Sequence, residues 1–231
     1  YYIVPNFRYE KPQAGRLREH HQFGVEYFGS PLPSSDAEVI GLADTYLQRL
    51  GIPDITVHIN SIGCPACRPA YHAALKGYLS AYTDRLCETC LGRYDKNPMR
   101  ILDCKNPACA ELAKSAPTVL DFLCDDCKTH FDRTKALLTE MGIPFSINPN
   151  IVRGLDYYVH TVFELTHSGL GAGTAIAGGG RYELFLPGQS RPLPGVGFAA
   201  GVERLLLARQ SLDLAAAAAP VPELYLVGLG E

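Results

Sequence analysis

Phe7-Arg8-Tyr9-Glu10-Lys11-Pro12-Gln13-Ala14-Gly15-Arg16-Leu17-Arg18-Glu19-His20-His21-Gln22-Phe23 runs on into Gly24-Val25-Glu26-Tyr27. From Gln22 the residues alternate. Phe23, Val25 and Tyr27 fall to one side and Gln22, Gly24 and Glu26 to the other, the period of a half-buried strand. With a bend around Ala14-Gly15, residues 1–29 read as a β-hairpin with one core face and one polar face. Gly24 leaves a gap at the centre of the polar face, where a ligand can approach the backbone. Gln22 and Glu26 stand about 13 Å apart along it, at ~3.3 Å per residue, so two polar ends of one small molecule fit between them. Arg8, Arg16 and Arg18 gather near the bend, and guanidinium forks suit phosphate because they bond it bidentately and stay charged. A solvated hairpin tip is the plain alternative for them.

The chain has 231 residues, 47% hydrophobic and 19% charged. That is enough for one large domain or two modest ones with a real core, and it excludes a disordered segment. No apolar run approaches the roughly 20 residues that span a bilayer, and Tyr1 onward shows no basic-then-apolar leader. Beginning without Met, the chain reads as a fragment or a processed piece. A net charge of −3 offers no global basic field for coating nucleic acid, though a local patch remains compatible with it.

All eight cysteines fall in short pairs: Cys64/Cys67, Cys87/Cys90, Cys104/Cys109 and Cys124/Cys127. Without a secretory signal, such pairs favour metal or redox work over structural disulfides. Two Cys-x-x-Cys knuckles make one tetrahedral four-thiolate zinc site, so four pairs make two. Their spacing suggests a nested arrangement, Cys87/Cys90 with Cys104/Cys109 inside Cys64/Cys67 with Cys124/Cys127. Structural zinc leads, ahead of unpaired thiols, redox disulfides and iron–sulfur ligation.

Ser34-Ser35-Asp36 offers caps for a helix whose apolar stripe is Val39, Ile40, Ala43, Tyr46, Leu47 and Leu50, stopped at Gly51. Ile55–Asn60 alternates as a strand. From Cys64 to about Gly142 the pattern turns helical, closing with Cys127, Phe131, Thr134, Leu138 and Met141 at helical spacing. Strand signals resume near Phe145 and at Thr161–Leu165. A glycine-rich bend, Ala177-Gly178-Gly179-Gly180-Arg181-Tyr182, leads to Pro194–Phe198 and then to a helix from Gly201 to Gln210. The alanines after Leu214 read as a linker.

Two further stretches carry chemistry. Val152-Arg153-Gly154-Leu155-Asp156-Tyr157-Tyr158 sets an arginine and two tyrosines before a strand; a tight turn with an internal salt bridge is its plain reading. Gly195-Val196-Gly197-Phe198-Ala199-Ala200-Gly201-Val202-Glu203-Arg204-Leu205 passes from strand to helix, and there the plain reading is a surface Glu–Arg pair.

Phe7–Phe23 closely resembles the second signature motif of the histidyl-tRNA synthetases, which are class II aminoacyl-tRNA synthetases. Residues 152–158 are similar to that family's histidine-specific motif, and 195–205 to its third class II motif. The resemblance, of bacterial type, implies an α+β fold: a mainly antiparallel sheet of six or seven strands flanked by helices, with a helical Cys-rich insertion domain. It implies a catalytic domain at 1–63 and 145–213, an insertion domain at 64–144, a linker at 214–222 and the start of an anticodon-binding domain at 223–231. The family's first motif and its histidine amino-group loop would precede Tyr1.

The activity implied is histidine–tRNA ligation: histidine and ATP, with Mg²⁺, give histidyl-adenylate, and histidine then passes to the 3′ end of tRNA(His). The implied catalytic residues are Arg8 and Arg153, on the α-phosphate and the carboxylate. ATP would lie against Arg8, Glu10, Arg16, Arg18, Gly180, Arg181 and Arg204. Histidine would lie against Arg8, Gln22, Glu26, Arg153, Tyr157 and Tyr158. Where the family usually continues with Asp-Gly after the glycine bend, Glu183-Leu184 stand here. A cytoplasmic homodimer without membrane contact is expected. The alternatives are the synthetase-like, histidine-sensing regulatory subunit of ATP phosphoribosyltransferase and a zinc-scaffolded module of a regulatory kinase-type protein.

Overall fold

The alternation at Gln22–Tyr27 lies inside strand β2, Glu19–Phe28, which pairs antiparallel with β1, Tyr2–Phe7. The computed structural model describes residues 1–9, 12, 17–151, 157–168, 175–214 and 224. Helix α1 (Pro33–Arg49) and strand β3 (Ile55–Ser61) follow, then helices α2 (Arg68–Ser80), α3 (Glu88–Tyr94), α4 (Pro107–Lys114) and α5 (Asp125–Glu140). The chain then returns through β4 (Phe145–Ile147), β5 (Tyr158–His167), β6 (Ala175–Leu184) and β7 (Leu193–Gly201) to helix α6 (Val202–Ser211). The seven strands form one sheet in the order β1-β2-β7-β6-β5-β3-β4. Among the described residues every pairing is antiparallel except β3 with β4. No helix among the described residues is long and apolar enough to cross a membrane.

Side-chain alternation gives the sheet two different faces. One is covered by α1, α5 and α6 and holds the main core. Ile40 and Leu47 of α1, Phe131 and Leu138 of α5 and Leu205 of α6 meet Ile59, Phe163 and Phe198 there. Phe23 joins them, its ring stacked 4.7 Å from Tyr46. The opposite face carries a small cluster of Ile62, Ile151, Tyr158, Val162 and Tyr182.

The helical insertion has a core of its own, built on Tyr71, Leu75 and Leu79 of α2 with Ile101, Leu112 and Val119. Helix α5 begins in the insertion and ends in the sheet core, so it belongs to both.

Two local expectations change. Ser35 and Asp36 do not cap α1, which starts at Pro33 with Leu32 as its cap and no side-chain cap bond; both are buried instead. Residues 177–182 do not bend but run straight through β6. Their glycines answer to packing, since a Cβ on Gly179 would lie 2.0 Å from the Gly197 carbonyl oxygen. The linker and final strand expected after Leu214 lie outside the described residues, apart from Leu224.

Candidate active site and two cysteine centres

On the sheet face opposite α1 lies a cavity of about 580 Å³, lined by Tyr2, Gln22, Glu26, Tyr157, Tyr158 and Tyr182 over a floor of Gly178, Gly197 and neighbouring backbone. That volume suits a small ligand. Glu26 sits at the centre of the hydrogen bonding. Its Oε2 accepts from the Tyr182 hydroxyl at 2.6 Å and its Oε1 from the Tyr2 hydroxyl at 3.3 Å. Burial, and then the bond to Glu26, push the Tyr182 phenol well above its usual range. Burial and the Glu26 charge push Tyr2 up to about 12. Both phenols therefore stay protonated donors, and the carboxylate keeps lone pairs for a ligand N–H.

Gln22 is held in the same way. Its Oε1 accepts from the Asn6 amide at 3.0 Å, which orients the Gln22 NH₂ for an acceptor such as a carboxylate or phosphate oxygen. The tyrosines form the aromatic wall. Tyr157 and Tyr158 have ring centroids 4.6 Å apart, and Tyr157 meets Tyr182 edge-on at 5.7 Å. Such a slot accepts a flat ring and grips its polar edge at the carboxylate end.

Of the residues expected to bind histidine, Gln22, Glu26, Tyr157 and Tyr158 come together in this cavity. Arg153 lies outside the described residues, as do Glu10 and Arg16. Arg8 and Arg18 sit at the far end of the hairpin, where the Arg8 amide donates to the Arg18 carbonyl at 2.8 Å and its Nε to the Leu17 carbonyl at 2.7 Å. Neither is among the described lining residues. Arg204 lies in the first turn of α6 with its stem beside Gly201. Its neighbour Glu203 ties that turn to β2, accepting from the His21 amide at 2.9 Å. Gly180 faces Tyr158, at the edge of the cavity.

Arg181 lies on the other side of the sheet. Odd-numbered residues of β6 point to the helix face, so Arg181 turns away from the cavity and is 2% exposed. Its Nε donates to Asp36 Oδ1 at 3.0 Å, and its Nη atoms donate to Asp36, Ser35 and the carbonyls of Ser30 and Leu32. It anchors α1 to the sheet from the face opposite the cavity. Sequence reasoning in turn missed Tyr2, Asn6 and Tyr182. An aromatic residue set across from a glycine, as Tyr2 is from Gly24, was the available signal.

The cysteines gather as two foursomes, Cys64/Cys67/Cys124/Cys127 and Cys87/Cys90/Cys104/Cys109, with all sulfurs of each within 4.8 Å of one another. In the first, Cys64–Cys67, Cys64–Cys124 and Cys67–Cys127 sulfurs are 3.7, 3.9 and 3.6 Å apart; in the second, Cys87–Cys104 are 3.8 Å apart. Bonds of ~2.3 Å from a tetrahedral zinc place its sulfurs about 3.8 Å apart, whereas a disulfide needs ~2.05 Å. The donor set therefore fits a four-thiolate metal centre.

Backbone amides add to the fit: Cys124 N–H donates to the Cys67 sulfur at 3.1 Å and Cys87 N–H to the Cys109 sulfur at 3.3 Å. Burial works upward on Cys67, yet the Cys124 and Cys64 amides bring its thiol down to about 7. Burial and the neighbouring sulfurs push Cys90 and Cys127 far up. They stay protonated thiols unless a cation joins the four sulfurs.

A family model for histidyl-tRNA synthetase matches residues 1–65 and 99–205. The chain belongs to the histidyl-tRNA synthetase family. It is 50% identical over its whole length to a histidine–tRNA ligase of Halothermothrix orenii, of which it covers 55%. It is 53% identical over 90% of its length to one of Moorella thermoacetica, covering 49% of that protein. The chain thus spans about half the length of the curated relatives it matches. Among solved structures, the apo histidyl-tRNA synthetase of Staphylococcus aureus is 36% identical, with a TM-score of 0.71 over 93% of this chain and 51% of that one. The seven-stranded sheet with its flanking helices is the class II fold of that family.

Proposed function

We propose that the chain forms the substrate-binding core of a bacterial histidine–tRNA ligase. The observation that carries this is the convergence of Gln22, Glu26, Tyr157 and Tyr158, with Tyr2 and Tyr182, on one cavity. Histidine would enter with its imidazole between the tyrosines and an N–H donating to Glu26. A site whose polar groups are completed by that ring rejects analogues lacking it, because its own groups would be left unpaired.

In the first step the histidine carboxylate attacks the α-phosphorus of ATP in line, forming the acyl–phosphate bond of histidyl-adenylate as pyrophosphate leaves. In the second, the terminal ribose hydroxyl of tRNA(His) attacks the acyl carbon and AMP leaves. Catalysis of this kind is mainly positioning and charge neutralisation. Arg8 and Arg153 would hold the carboxylate and α-phosphate as charge grows between them. Glu10, Arg16, Arg18, Gly180 and Arg204 would serve the nucleotide, with Mg²⁺ arriving on ATP. The two cysteine foursomes would each hold a structural zinc ion. The full-length protein would act as a cytoplasmic homodimer.

Histidine-dependent ATP–pyrophosphate exchange by the full-length protein tests the reading. Arg153→Ala should lower exchange by about a hundredfold or more, the loss typical of a removed transition-state donor. A loss of under about tenfold would remove Arg153 from the mechanism. Histidine binding without exchange would point to the sensing paralogue instead.

A further inference from the structure

The first cysteine foursome lies next to the histidine cavity. Arg68 directly follows Cys67, opens α2, and donates through its guanidinium to the main-chain carbonyl of Tyr158, a lining residue. Gly63, just before Cys64, accepts from the His160 amide at 2.9 Å, and Ile62 donates to the His160 carbonyl at 2.8 Å. Three hydrogen bonds from residues 62–68 thus grip residues 158–160.

That grip falls where β5 is irregular. The β5–β6 register shifts between Val159 and Val162, and His160 has φ of 52°, in the left-handed region that a side chain rarely adopts. A strand segment so distorted keeps its shape only while its surroundings hold it. The 62–68 segment is itself shaped by the sulfur cluster. Gly63 has φ of +66°, and a Cβ there would lie 2.8 Å from the Cys67 Cβ. Cys67 N–H donates to the Cys64 carbonyl at 3.0 Å, closing the knuckle.

We propose that the Cys64/Cys67/Cys124/Cys127 centre, when it holds a divalent zinc-type ion, sets the wall of the histidine cavity through Arg68, which acts as a positioning residue for Tyr158. Histidine affinity then depends on metal at this centre and not on metal at the Cys87/Cys90/Cys104/Cys109 centre, whose residues lie on or beside α3 and α4 and make none of the three bonds to residues 158–160. The inference rests on reading the cavity as the histidine site.

The test measures histidine and ATP dissociation constants by calorimetry, and zinc per chain by mass spectrometry, on the full-length protein. Arg68→Ala should keep the wild-type zinc content and ATP affinity but weaken histidine binding about tenfold, the scale of a lost charge-assisted bond. Arg68→Lys should recover part of that loss. A paired Cys64→Ser, Cys124→Ser variant should lose one zinc and weaken histidine binding, whereas Cys87→Ser, Cys104→Ser should lose one zinc and leave it unchanged. Should the first pair fail to fold, Arg68→Ala decides alone. Histidine binding by Arg68→Ala within about twofold of wild type overturns the proposal, as does equal weakening by both cysteine pairs. A wild-type protein that binds ATP but no histidine overturns the site reading and this inference with it.

Discussion

The Tyr182 hydroxyl reaches the Glu26 carboxylate, 2.6 Å away, across an intervening strand. Glu26 lies on β2 and Tyr182 on β6, with β7 between them. The contact exists because β7 places glycines beneath it: a Cβ on Gly197 would lie 1.9 Å from Glu26 Oε2, and one on Gly195 2.7 Å from the Tyr182 ring.

Gly197→Ala should therefore displace the Glu26 carboxylate and weaken histidine binding more than Tyr182→Phe does. The phenylalanine removes one charge-assisted bond, for an expected loss of about tenfold. Calorimetric titration with histidine checks the order of the two effects.

Arg181 and Asp36 should act on stability and not on ATP. Removing one partner of a buried ion pair typically costs about 3–5 kcal/mol. Asp36→Ala and Arg181→Met are expected to lower the denaturation midpoint by that scale of free energy while leaving the KM for ATP near wild type. A large rise in that KM without destabilisation would restore Arg181 to the nucleotide site.

His160 supplies a pH dependence. Burial first, then the nearby His130 and Arg181 charges, bring its imidazole down to about 4, against the opposing pull of Asp36. The folded state thus resists protonation while the unfolded chain titrates at its ordinary 6.5. This contribution to stability is fully present above pH 6.5 and is lost as pH falls toward 4. Thermal melts should show the decline, and His160→Asn, which tolerates the left-handed backbone, should flatten it.

Metal analysis after purification without chelator should give about two zinc ions per chain, one for each four-thiolate set. Prolonged chelation should melt helices α3 and α4 first, because they carry the buried Cys90 and Cys109. Loss of circular dichroism from helices α3 and α4, with α2 and the sheet retained, is the expected signature.

The hairpin and its polar face were legible because a period of two assigns Gln22 and Glu26 to one side whatever the rest of the chain does. The nesting of the cysteine pairs was legible from spacing. The strand at 177–182 was not, since three consecutive glycines weaken any propensity signal and their reason lies across the sheet in β5 and β7. Once that segment is taken for a bend, the face on which Arg181 emerges cannot be deduced. Tyr2 escaped because nothing local marks it. Its role comes from pairing opposite Gly24, a relationship 22 positions away in the sequence.

Helix α5 has one more consequence. Its Cys127 sits in the first sulfur cluster, while Phe131 and Leu138 lock into the sheet core beside α1. Sixteen residues long, it is a rod of about 24 Å at ~1.5 Å per residue. The insertion therefore returns to the sheet through a stiff member and not a slack tether. Load applied to the outer helices is carried along this lever into the packing that supports the sheet.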